Sequence, residues 1–92
     1  MTRAQLDTLS EIAESIAAEH PDDEETATTA GEVLRGHALS AIHKHGPSTI
    51  TGPTEAQLRA AHDLLVKDGW LARTTGGGFR LTDQTARPLG LK

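Results

Sequence analysis

The chain has 92 residues; 36% are apolar, but 13 residues are alanine and only Trp70 and Phe79 are aromatic. A chain of this size supports one domain with a small core and has no room for two lobes around a deep cleft, where most enzymes work. The absence of cysteine excludes disulfides, thiolate chemistry and cysteine-held zinc, and no apolar run approaches the ~20 residues of a membrane span or forms a signal-peptide core, so the expectation is a soluble cytoplasmic domain.

The net charge of −4 hides a marked asymmetry. Residues 1–32 carry nine acids against Arg3, a balance of −8, and residues 33–92 carry eight bases against four acids, a balance of +4. Such a split suits a polyanion-facing surface with an acidic appendage. It equally suits a small protein kept soluble by its charge.

The first helix is expected from Arg3 to Glu19. Thr2 and Gln5 have capping-box spacing, and Leu6, Leu9, Ile12, Ala13, Ile16 and Ala17 form an apolar stripe opposite Asp7, Glu11 and Glu14. His20-Pro21 ends it, since a residue before proline is pushed out of the helical region. The acidic run Asp22 to Glu25 reads either as an exposed linker or as the first turn of the next helix, where negative charge suits the dipole.

For the second helix, Thr29 and Glu32 offer another capping box, and Ala30, Leu34, Ala38, Ala41 and Ile42 make the stripe. Gly31 and Gly36 weaken its start. Leu39 lies off the stripe, which suggests cover on more than one side. His45-Gly46-Pro47 is the expected stop.

An extended connection leads to Thr54, where a third helix opens and runs to about Asp68, with Leu58, Ala61, Leu64 and Leu65 on its buried side. Gly69 can take the left-handed cap conformation. Two β-rich runs, Trp70–Thr74 and Phe79–Thr82, flank Gly76-Gly77-Gly78 as a hairpin tip. Residues 83–92 read as a tail broken at Arg87-Pro88, with Leu89 and Leu91 as docking points.

This order resembles the winged helix-turn-helix superfamily. The likeness rests on Leu64-Leu65-Val66-Lys67-Asp68-Gly69-Trp70-Leu71, the glycines, and Phe79-Arg80-Leu81-Thr82. In such domains the third helix ends in a glycine, enters the hairpin through an apolar pair and leaves it at a Leu-Thr step. The stretch from Ile42-His43-Lys44-His45-Gly46-Pro47 to Gly69-Trp70-Leu71 is similar to the winged C-terminal tail of some phage- and plasmid-type primase–helicase proteins. The resemblance spans residues 29–82 and implies a mainly α, three-helix winged helix-turn-helix fold with a β-hairpin, in a single domain over 1–92. It departs from the common pattern in its long connection from Gly46 to Pro53.

The function so implied is duplex DNA binding, regulatory or replication-associated, with the third helix in the major groove and the hairpin on phosphates. The exposed face of that helix carries Ala56, Arg59, Ala60, Asp63 and Lys67. Two alanines beside Arg59 allow close approach to a base edge or phosphate, whereas Arg59, Asp63 and Lys67 at four-residue spacing also fit a surface ion-pair ladder. Arg73 and Arg80 flank the hairpin tip, Thr49, Thr51 and Thr54 lie near the third helix's N-terminus, and Lys44 lies close by. The other reading is a protein-interaction module without DNA binding, docking on itself or a partner through its first helix or tail.

Other chemistries find little support. A lone Trp70 after Gly69 fits a core plug better than a base-stacking platform, which needs several exposed rings. His43 and His45 would diverge on a helix, so no metal site or cofactor is expected. No nucleophile–base pair or phosphate-cradling motif is present, so catalysis is not expected.

Overall fold

The computed structural model describes residues 2–44 and 51–91. Three long helices, α1 (Arg3–Glu19), α2 (Glu24–His43) and α3 (Glu55–Lys67), precede an antiparallel hairpin of β1 (Leu71–Arg73) and β2 (Phe79–Leu81) and a short α4 (Asp83–Ala86). The order is the one expected: a helix-rich fold with a β-hairpin. Among the described residues no helix is long and apolar enough to cross a membrane.

The capping box of α1 forms as its sequence suggests: the Gln5 amide donates to Thr2 Oγ1 at 3.2 Å, and the Thr2 amide donates to Gln5 Oε1 at 3.0 Å. Leu9, Ile12 and Ile16 are buried, while Ala17 is exposed and Leu6, near the helix start, stays 39% exposed. Asp7, Glu11 and Glu14 face solvent.

The start of α2 falls on the second of the two alternatives that the acidic run offers. Asp23 is the N-cap, its carboxylate accepting from the Thr26 amide at 3.4 Å, and Glu24 and Glu25 fill the first turn. Thr29 is not a cap; its hydroxyl donates to the Glu25 carbonyl at 3.0 Å within the helix. The acidic run is therefore a helix start, stabilised by the dipole, and it brings Ala27 and Ala30 into the core. Val33, absent from the expected stripe, is buried, whereas Ala41 is exposed. Gly31 serves packing: a Cβ there would lie 3.2 Å from that of Ala13, so its absence lets α1 and α2 approach closely. At the other end Lys44 takes the left-handed conformation, φ 55°. The expected His45-Gly46-Pro47 stop lies outside the described residues.

Helix α3 opens with a capping box of Thr54 and Gln57, and Gln57 Nε2 also reaches Glu25 Oε1 at 2.6 Å, linking the first turns of α3 and α2. Gly69 has φ +84°, the left-handed turn that only glycine adopts freely. The hairpin is shorter than expected, pairing Leu71 with Leu81, Ala72 with Arg80 and Arg73 with Phe79. Its tip is organised, with the Thr74 amide donating to the Gly78 carbonyl at 2.9 Å and the Gly78 amide to Thr74 Oγ1 at 3.0 Å.

The main core joins Ile12, Ile16, Ala27, Ala30, Val33, Leu34, Ala61, Leu65 and Leu71, with Leu58, Trp70, Phe79 and Leu81 packed against it. The indole N–H of Trp70 is buried without an acceptor among the described residues. The segment after the hairpin, expected as a tail, belongs to the packing. Thr85 is fully buried and donates to the Trp70 carbonyl at 2.7 Å, and Thr82 donates to the Gly69 carbonyl at 2.5 Å. Leu89 is buried against Leu9 and Ala38, and Gln5 Nε2 donates to its carbonyl at 3.0 Å. Two hydroxyls and one leucine thus satisfy carbonyls and fill a gap that the helices and hairpin leave open. Leu91 remains exposed.

Candidate nucleic-acid interface

Strand alternation decides which hairpin side chains are available. Leu71 and Arg73 share a face with Leu81 and Phe79, while Ala72 and Arg80 point to the other side. Arg73 and Arg80, expected together beside the tip, thus lie on opposite faces. Arg73 lies along α3 at the surface: its guanidinium donates to the Asp63 carboxylate and lies 5.3 Å from the centre of the Phe79 ring.

Beneath it is a ring stack. Phe79 packs on His62 with centroids 4.3 Å apart and an interplanar angle of 23°, and His37 meets both rings edge-on. His62 Nδ1 lies 2.8 Å from the Leu58 carbonyl, which can only accept, so the proton of a neutral His62 is on Nδ1. Its Nε2 then accepts from His37 Nε2, 2.9 Å away. Burial, reinforced by His62, holds the pKa of His37 below its ordinary 6.5. The chain Asp63–Arg73–Phe79–His62–His37 fastens the hairpin to α3 and α2. Sequence reading missed it because its members come from four elements, α2, α3, β1 and β2; only the four-residue step from Leu58 to His62 is visible in the sequence. No third metal-ligating group joins the two histidines among the described residues.

The remaining expected site residues distribute as follows. Arg59 is 74% exposed with a loose contact of 3.9 Å to Glu55, so the ladder with Asp63 and Lys67 does not form. Asp63 serves Arg73 instead, because the hairpin brings a guanidinium to it with better geometry. Arg80 and Lys67 are exposed and have no ion pair among the described residues. Lys44 is exposed at the end of α2, and Thr51 is exposed before α3. Thr54 is also exposed, but its hydroxyl oxygen is used to cap α3, accepting from the Gln57 amide at 3.1 Å. Thr49 lies outside the described residues.

No family model, curated protein or solved structure matches the chain.

Proposed function

We propose that the chain is a cytoplasmic DNA-binding domain rather than an enzyme, of regulatory or replication-associated type, gripping duplex DNA weakly through α3 and the hairpin. The observation that carries this reading is the Arg73–Asp63 contact, which holds the glycine tip alongside the exposed face of α3. Ala56 and Ala60 leave room on that face for a DNA backbone, and Arg59 stands between them. Arg80, Lys44 and Arg59 neutralise phosphates. Thr51 hydrogen-bonds to the backbone, and Arg73 fixes the wing that presents Arg80. The acidic side chains of α1 belong to a different surface, since α1 packs on α2 and meets α3 through His20 and Asp68.

Three phosphate contacts imply a log–log salt slope of about −3, each contributing roughly −0.9. Fluorescence anisotropy with duplex DNA at two salt concentrations tests the proposal. Absence of binding at low salt would overturn it.

A second reading, a protein-interaction domain without DNA binding, is favoured by one observation. A groove of about 570 Å³ runs between α1 and α2, floored by Leu9, Ala13 and Ala27, with Leu6 at its mouth and Glu14 and Glu32 along it. Association through it, with a second copy or another protein, would change the mass in solution and would not depend on the hairpin arginines.

A further inference from the structure

Three metal-ligating groups meet where the C-terminal ends of α1 and α3 come together. His20 Nε2 lies 2.5 Å from Asp68 Oδ2, and a Glu19 carboxylate oxygen falls within 4.8 Å of both. Glu19 is the last residue of α1, His20 is its C-cap and Asp68 is the C-cap of α3. The side chains of His20 and Asp68 are only 27% and 15% exposed.

The electrostatics of this joint are unusual. A helix C-terminus carries about −0.5 of an elementary charge and favours cations nearby. Here two C-termini converge, two carboxylates are added to them, and the last turn of α1 contains no basic residue. Against the two carboxylates, His20 can supply no more than one positive charge. Lys67, in the last turn of α3, is exposed. The joint therefore has negative charge in excess and its donor atoms face one another.

We propose a divalent transition-metal site here, with His20 Nε2, one oxygen of Asp68 and one of Glu19 as protein ligands and water completing the coordination. A ring nitrogen with two carboxylates suits Zn2+ better than Mg2+ or Ca2+, which prefer oxygen alone. Zinc bonds of about 2.0–2.2 Å in a tetrahedron set donor atoms roughly 3.3 Å apart. The His20–Asp68 pair must open by less than about 1 Å to reach that spacing, and Glu19, exposed at a helix end, closes by side-chain rotation. The ion takes the place of the hydrogen bond between His20 and Asp68. It also pins α1 to α3, elements that the His20–Asp68 hydrogen bond joins at this end.

The test is calorimetric titration of the untagged chain with Zn2+, paired with thermal melting with and without the ion. The wild type is expected to bind one ion and to melt at a higher temperature with it. Glu19→Gln, an exposed change, should leave the melting temperature of the metal-free protein unchanged while weakening Zn2+ binding at least about tenfold, as loss of even an outer-shell partner can. Asp68→Asn should weaken it further, whereas His62→Gln should bind as the wild type does. The site is refuted if the wild type takes up no ion at one equivalent. It is equally refuted if Glu19→Gln and Asp68→Asn bind unimpaired, or if only His62→Gln loses binding. Because no DNA enters the measurement, neither outcome depends on the DNA-binding proposal.

Discussion

The guanidinium of Arg73 on β1 rests on the carboxylate of Asp63 on α3, ten residues earlier in the chain. Both side chains are more than half exposed, so the pair contributes only about 0–1 kcal/mol to stability, but it holds the hairpin beside the helix. The two hairpin arginines should therefore behave differently. Arg80→Ala is expected to reduce the salt slope of DNA binding by about one unit with the fold unchanged. Arg73→Ala is expected to change the slope less and to lower affinity by loosening the wing. Anisotropy titrations of the two variants over a salt series measure this, and equal slopes for both would contradict it.

The lowered pKa of His37 gives stability a pH dependence with a definite sign. Burial disfavours the charged ring in the folded state, so the unfolded chain takes up a proton near pH 6.5 that the folded chain takes up only at lower pH. This contribution to stability is fully present above that value and is lost as the pH falls through 6.5 towards the folded pKa. Urea unfolding at pH 7.5 should show a more stable protein than at pH 5, and His37→Gln should narrow the difference.

Phe79 lies between Arg73 and the histidine pair and packs against the main core. Phe79→Ala is expected to cost about 3 kcal/mol, the lower end of the range for buried rings, since this ring is only half-buried. Because the ring separates Arg73 from His62, the same change should also alter the His62 ring signals in an NMR spectrum.

Leu89 tests whether the C-terminal segment is part of the fold. It is 2% exposed and shares a cluster with Leu9 and Ala38. Leu89→Ala should cost about 2–3 kcal/mol, measured by denaturant midpoint, while Leu91→Ala should change stability by less than about 0.5 kcal/mol.

The oligomeric state separates the two functional readings at Leu6. This leucine is exposed at the mouth of the α1–α2 groove, whereas Leu9 is 6% exposed and its replacement would damage the core. With the groove unpaired, light scattering should give a monomer for both the wild type and Leu6→Asp. A wild-type dimer that Leu6→Asp dissociates would favour the docking reading.

Local signals in the sequence determined the frame of the protein: the span of α1, the capped start of α3, the turn at Gly69 and the glycine-tipped hairpin. Each depends on residues within a few positions of one another: Thr2 with Gln5, Thr54 followed by an apolar helical stripe, a glycine at positive φ. The sequence leaves the start of α2 open because Asp23 and Thr29 both offer plausible caps locally, and burial of Ala27 decides for Asp23. Tertiary structure alone decided the rest. The segment after Thr82 became core because Thr85 and Leu89 met a carbonyl and an apolar gap built by distant elements. Pairing of Ala72 with Arg80 put the two hairpin arginines on opposite faces, and it brought Arg73 to Asp63 and Phe79 to His62. Contacts between side chains on separate elements depend on strand register and helix packing, and neither leaves a mark in the order of residues until the chain has closed on itself.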